Sequence, residues 1–259
     1  MALTGNSRDW WLLNASPDLR AQLAAAPALW PGPDRPDVPV RGVLLTDAEI
    51  HHVTGLTALR GTAGLKVYAA PAVSAVLTAA RGALDRYEPW EWADSLADDG
   101  FVLAGGLVVT AHPVGTTAPE YVPPGRAGSD DRWVTAYRVE DLATGRVLVY
   151  APRVDAWSPV LDELCAEADC VLLDGTYYAP RRGRPVRSGG GRSGRGVPPH
   201  LPVTGGRGSL AALARHPGVR RIYTHLDHSN PLLDPSSEAR AQVGTAGVEI
   251  PPDGAEFIV

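Results

Sequence analysis

Cysteine occurs only twice in 259 residues, and that scarcity removes two classes of architecture. Cys165 and Cys170 stand five apart with Ala166-Glu167-Ala168-Asp169 between them, whereas a disulfide framework or a thiolate zinc site needs more cysteines or a closer pair. Both read as small apolar residues where a helix hands over to a strand. Long hydrophobic runs are missing too: none reaches the roughly 18 residues that a membrane span requires. Met1-Ala2-Leu3-Thr4-Gly5 has neither the charged start nor the apolar stretch of a secretory signal, so the expected compartment is the cytoplasm. A surplus of positive charge is likewise absent. The net charge of −5 and a pI near 5.8 leave no basic footprint for nucleic acid or an anionic membrane. The single Met and two Phe, against many Ala, Gly, Pro and Arg, reflect a GC-rich coding bias and carry no function.

What is present is an alternation of apolar strands and helices. The length suits one domain over 1–259 with a sizeable core. Strands are expected at Trp10-Leu13, Val40-Leu45, Lys66-Ala70, 101–104, 107–112, Trp133-Glu140, Arg146-Ala151, Cys170-Asp174 and Val219-Thr224. Gly105-Gly106 and Leu142-Ala143-Thr144-Gly145 read as hairpin turns. Helices are expected from Leu19 to about Ala28, Gly55 to about Leu59, Pro71 to about Leu84, Ser158 to Ala168, Ser209 to Arg215 and Ser236 to Ala246. Residues 30–39 and 113–130 are Pro/Gly-rich connectors. Helices after strands, with hairpins between, argue an α/β or α+β layered sandwich.

The chemistry concentrates in Thr46-Asp47-Ala48-Glu49-Ile50-His51-His52, which follows the apolar strand Gly42-Val43-Leu44-Leu45. Neighbouring side chains diverge on a strand and lie about 100° apart on a helix, so His51 and His52 cannot both face a core on a regular element. A loop that ends a strand and opens a helix can turn both imidazoles toward one ion. The alternative is two solvated surface histidines. Two further strands also end in candidate ligands, Leu173 leading to Asp174 and Tyr223-Thr224 to His225. Ligands at the ends of different strands can converge at one sheet edge. Taken singly, Asp174 is a turn acid before Gly175 and His225 a polar strand end.

At these residues the chain resembles the metallo-β-lactamase fold superfamily, and within it the pyrroloquinoline quinone biosynthesis protein B family. The matching stretches are Leu13-Asn14-Ala15-Ser16-Pro17-Asp18, Leu45-Thr46-Asp47 through His52 with Gly55-Leu56, Val149-Tyr150-Ala151-Pro152, Ala168-Asp169-Cys170 through Asp174-Gly175-Thr176, His200-Leu201-Pro202-Val203, and His225 with Asn230-Pro231-Leu232-Leu233-Asp234. The resemblance implies an αββα sandwich. The superfamily pattern His-x-His-x-Asp-His falls on Asp47, Glu49, His51 and His52. Acids therefore replace the first two histidines, and the later hairpin ligand falls near Trp133, so the first metal site is expected to be broken. His51, His52, Asp174 and His225 are expected to hold one mononuclear divalent metal, iron(II) before zinc(II), with Asp47, Glu49 and His228 as neighbours steadying those ligands. His52→Ala and His225→Ala should abolish tight metal binding, and Asp47→Ala or Glu49→Ala should matter less. His200, beside the site in the family segment, is a candidate proton donor or hydrogen-bond partner, and His200 and Asp174 are the expected catalytic residues, Asp174 being a ligand as well. His112 and His216 are read as surface or turn residues.

Two departures stand out. The relatives open with a strand, a glycine-rich turn and a zinc-binding cysteine cluster that this chain lacks, so it is expected to be N-terminally shortened, with an exposed edge at Trp10-Trp11 that would favour pairing into a homo-oligomer. Between Tyr178 and His200 lies a Gly/Arg-rich loop at about 179–199 that cannot pack a core. It reads either as a plain surface loop or as a lid whose Arg181, Arg182 and Arg184 hold substrate carboxylates. Three functions follow. The resemblance implies an iron-dependent oxygenase or hydroxylase acting on an amino acid-derived or peptidic aromatic in cofactor or natural-product biosynthesis. A single-zinc hydrolase of the broad superfamily is the alternative, and a non-catalytic binding or carrier protein is the third, since the fold serves many ends.

Overall fold

The computed structural model describes residues 1–31, 38–123, 130–180 and 200–259. Two sheets lie face to face between two layers of helices. The first has the order β1 (Ala2–Leu3), β2 (Trp10–Leu13), β3 (Val40–Leu44), β4 (Lys66–Ala69), β5 (Glu91–Asp94). The second contains β6 (Phe101–Leu103), β7 (Leu107–Gly115), β8 (Val134–Asp141), β9 (Val147–Ala151), β10 (Cys170–Asp174), β11 (Arg220–Thr224) and β12 (Val248–Glu249), running from β12 to β6 in unbroken reverse order. Strands β2 to β5 run parallel, as do β9 to β12, while β6 to β9 form an antiparallel meander.

Alternation along the strands explains the layering. On β2, Trp11 and Leu13, with Leu44 and Tyr68 of the same sheet, face the other sheet and pack in one layer with its Leu103, Val109, Tyr137 and Leu172. Leu12, with Val43 and Val67 of its neighbours, faces the helices α1 (Leu19–Ala25), α2 (Ile50–Val53), α3 (Pro71–Val76) and α4 (Thr78–Leu84). On β10, Val171 and Leu173 turn outward onto α5 (Pro159–Glu167), α6 (Ser209–Leu213) and α7 (Glu238–Thr245), while Leu172 turns inward. That strand is buried on both faces, which is why its sequence is apolar without alternation. The expected αββα sandwich is the observed one.

Local differences have local causes. The helix expected from Pro71 to Leu84 is two helices that break at Leu77. Glu91–Asp94 forms an edge strand on β4 that the sequence reading did not include, because half-exposed Glu91-Trp92-Ala93-Asp94 carries little apolar signal. Trp10-Trp11 is not an open edge: β1 pairs antiparallel on β2, Ala2 opposite Leu12 and Leu3 opposite Trp11, which removes the reason given for pairing there. Cys165 and Cys170 are buried free thiols at the helix-to-strand handover, and burial raises the pKa of Cys165 to about 12. Among the described residues no helix is long and apolar enough to cross a membrane.

Candidate metal centre

Parallel register lines up the C-terminal ends of the strands that carry the candidate ligands. Leu173 pairs with Ala151 and Asp174 with Thr224, so the loops after β9, β10 and β11 leave the sheet side by side. The loop after β3 reaches them across the sandwich, tied down by Tyr137 Oη donating to Leu45 O (2.8 Å), Tyr121 Oη to Ala48 O (2.6 Å) and Thr135 N to Thr46 O (2.8 Å). Gly55 then lets α2 close against the turn after β2, because a Cβ there would lie 2.1 Å from Ser16 O.

Four imidazoles gather where these loops meet. The rings of His51, His52 and His225 have centroids 4.5 to 4.9 Å apart, and Nε2 of His51 lies 2.8 Å from Nε2 of His225. One nitrogen from each of the three falls within 4.8 Å of the others. His200 stacks on His225 at 5.7 Å, and a nitrogen of each with a carboxylate oxygen of Asp174 forms a second group within 4.8 Å. His225 has φ of 59°, a left-handed backbone that costs a non-glycine residue roughly 1–2 kcal/mol and turns its ring off the strand toward the cluster.

The hydrogen bonds behind the rings fix which nitrogen faces inward. Asp47, fully buried, accepts from His52 Nδ1 at 2.8 Å on both oxygens, from Thr46 Oγ1 at 2.7 Å and from Glu49 N at 2.8 Å. Burial alone would raise its pKa, but the imidazole of His52 and its hydrogen bonds hold the carboxyl well below the usual range. Asn14 anchors this arrangement by donating to Thr46 Oγ1 and accepting from Thr46 N. Thr176 Oγ1 lies 2.6 Å from Asp174 Oδ1 and 2.7 Å from His225 Nδ1. Its single proton goes to the carboxylate, so His225 Nδ1–H donates to the hydroxyl oxygen. In His52 and His225 alike, the lone pair left over is on Nε2, pointing into the cluster. Burial pushes His225 down to about 3 and His51 to about 4, so both are neutral near pH 7, as metal ligation requires. Nitrogen donors of this kind suit zinc, iron, copper or nickel, and the cluster is a candidate divalent-metal site.

The remaining predicted residues are placed as follows. Asp174 is buried within hydrogen-bonding distance of His200 Nδ1 (2.7 Å), Val154 N (3.0 Å) and Thr176 N (3.0 Å) as well as Thr176 Oγ1. Glu49 lies in the wall, its Oε1 3.0 Å from Nη1 of Arg153, and burial raises its pKa against that guanidinium. Trp133 fills the expected hairpin position as a core residue. His228 does not join the cluster: its side chain is 95% exposed and lies 3.7 Å from Asp227. Arg181, Arg182 and Arg184 lie outside the described residues. Arg153 escaped sequence reading although it follows a strand end as the other site residues do; arginine reads as surface, yet this one has no exposed side chain and also donates to Thr117 O at 2.9 Å. Beside the imidazoles opens a cleft of about 260 Å³ lined by Glu49, Thr176, Tyr177, Leu226 and Asp227, a little under the roughly 300–1,000 Å³ of typical small-molecule sites.

A family model described as a β-lactamase superfamily domain matches residues 9–226. Coenzyme PQQ synthesis protein B of Azotobacter vinelandii is 33% identical over 263 residues, 99% of this chain and 86% of that one. The protein of the same name from Methylobacterium nodulans is 34% identical, over 98% and 85%. Among solved structures, zinc-bound PqqB from Methylobacterium extorquens aligns with a TM-score of 0.82 at 28% identity, over 100% of this chain and 86% of that one. A diphosphatase of the PhnP family shares the fold, with a TM-score of 0.64 at 16% identity over 97% and 81%. With its strand-end histidines on this sandwich and relatives a third identical along nearly its whole length, the chain belongs to the β-lactamase superfamily and, within it, to the coenzyme PQQ synthesis protein B family.

Proposed function

We propose that the chain is a metal-dependent hydroxylase of PQQ-type cofactor biosynthesis, acting on an amino acid-derived or peptidic aromatic with one iron(II) ion held by His51, His52 and His225. The observation that carries this reading is the convergence of three imidazoles on an open cleft, two of them backed by hydrogen bonds and two held neutral by burial. The relatives' name supports the pathway, and imidazole-rich sites with vacant positions suit non-haem iron. Iron(II) there would supply activation of dioxygen, one atom entering a ring C–H bond and the other leaving as water, with two electrons from an external reductant.

The chain's own residues bind and orient. Asp47 and Thr176 fix the rings of His52 and His225, and such outer partners are worth about 10- to 100-fold in metal affinity or activity. Tyr177 and Leu226 offer apolar wall to an aromatic ring. Glu49 and Asp227 place carboxylates on the cleft, which suits a substrate amino group. Arg181, Arg182 and Arg184 are assigned to substrate carboxylates on their chemistry alone; replacing all three should weaken substrate affinity and leave metal content unchanged.

A single-zinc hydrolase is the second reading, favoured by the zinc-bound relative. The two separate in one experiment. Iron-loaded protein is incubated with a reductant, isotopically labelled dioxygen and tyrosine-containing peptides, and products are weighed by mass spectrometry. Product carrying one labelled oxygen atom supports the hydroxylase. Cleavage products that take oxygen from water, formed with zinc and without dioxygen, support the hydrolase.

A further inference from the structure

We propose that His200 is a fourth nitrogen donor to the metal, and that Asp174, read from the sequence as a direct ligand, holds histidines in place and does not touch the ion. This rests on the metal reading above. A carboxylate has about four lone-pair positions, and four protein donors occupy those of Asp174. His200 Nδ1 and Val154 N are on Oδ2; Thr176 N and Thr176 Oγ1 are on Oδ1. The carboxyl is 1% exposed, so an ion would reach it only by displacing one of these.

His200 is in the opposite position. Its Nδ1 is committed to Asp174 at 2.7 Å, which leaves Nε2 as the free lone pair. The ring lines the cleft and stacks on His225 with an interplanar angle of 22°; a nitrogen of each lies within 4.8 Å of the other. Asp174 and His200 therefore repeat, on the second sheet, what Asp47 and His52 do on the first: a buried carboxylate grips Nδ1 and the far nitrogen faces inward. Through Thr176 the same carboxylate also steadies His225. Two acids from two sheets thus orient three imidazoles, and the donor set is all nitrogen, which suits iron and zinc alike.

Cobalt(II) is the probe, because its visible absorption reports the donors directly. His200→Asn keeps an amide nitrogen where Nδ1 stands and deletes Nε2; His200→Ala leaves a gap that free imidazole can fill. The expected result is that both variants bind cobalt at least about 100-fold more weakly than the wild type, the upper end of what losing an outer partner costs, with an altered absorption band that imidazole restores in His200→Ala. A wild-type band in His200→Asn, or an altered His200→Ala band that imidazole leaves unchanged, overturns the assignment. Wild-type protein that takes up no cobalt overturns instead the metal reading on which it rests.

Discussion

His52 is 4% exposed and its Nδ1 sits 2.8 Å from both oxygens of a carboxylate with no exposure at all. Asp47 was expected to steady the ligands and to matter less than His52 itself, and its burial beneath the His52 ring gives that role a geometry. Asp47→Ala strips the acceptor from His52 Nδ1, Thr46 Oγ1 and Glu49 N together, so metal affinity should fall about 10- to 100-fold, measured by competition with a chelator; affinity equal to the wild type would contradict the orienting role. The depressed histidines give a pH test. With His51 at about 4 and His225 at about 3, the unfolded chain takes up protons before the folded one as pH falls below the ordinary histidine value of about 6.5. The metal-free protein should therefore lose stability as pH falls from about 6.5 toward 4. Thermal unfolding midpoints that stay flat across pH 6.5 to 4 would show that these imidazoles protonate freely in the fold. The histidines themselves were legible in the sequence because His51-His52 has no structural excuse on a regular element. Asp47 was also read as a neighbour steadying them, but Asp174 and Thr176 as the partners of His200 and His225 were not, since those pairs join segments 26 and 49 residues apart.

Two loops from different sheets are joined by one ion pair. Arg153, after β9, reaches Glu49 in the loop after β3 at 3.0 Å, and Asp155 stands 4.0 Å from its Nε. Breaking a buried pair by removing one partner costs about 3–5 kcal/mol, because the other charge is left uncompensated. Arg153→Met alone should be severely destabilising, and Arg153→Met with Glu49→Gln should recover part of the loss, a coupling of about 1–3 kcal/mol in a double-mutant cycle. Strict additivity in denaturant unfolding would mean that the loops are held by other contacts. Elements with a strong pattern, the unbroken apolar run Cys170–Asp174 and the alternating hairpin strands 134–141 and 147–151, were readable from sequence. The two-residue strand Ala2–Leu3 and the half-exposed Glu91–Asp94 were not, because their pairing comes from the neighbouring strand and hardly from their own side chains.

At the scale of the molecule, three apolar layers set the sandwich: one between the sheets and one under each set of helices. The layered class could be inferred because most strands are followed by a helix or a hairpin turn in the sequence. That the ends of β3, β10 and β11 meet at one edge could be inferred only as a possibility of such folds; the register that realises it is a property of the folded pairings. The same edge gathers four imidazoles and two fully engaged carboxylates beside a small cleft, and the central claim is that this edge binds one metal ion and uses it on dioxygen. Protein purified without oxygen and loaded with iron(II) should contain one iron per chain by elemental analysis, and should consume oxygen when reductant and aromatic substrate are added, with both properties lost in His52→Ala and His225→Ala. Zinc binding with no oxygen uptake by the iron-loaded protein, or iron retained in those two variants, would contradict it.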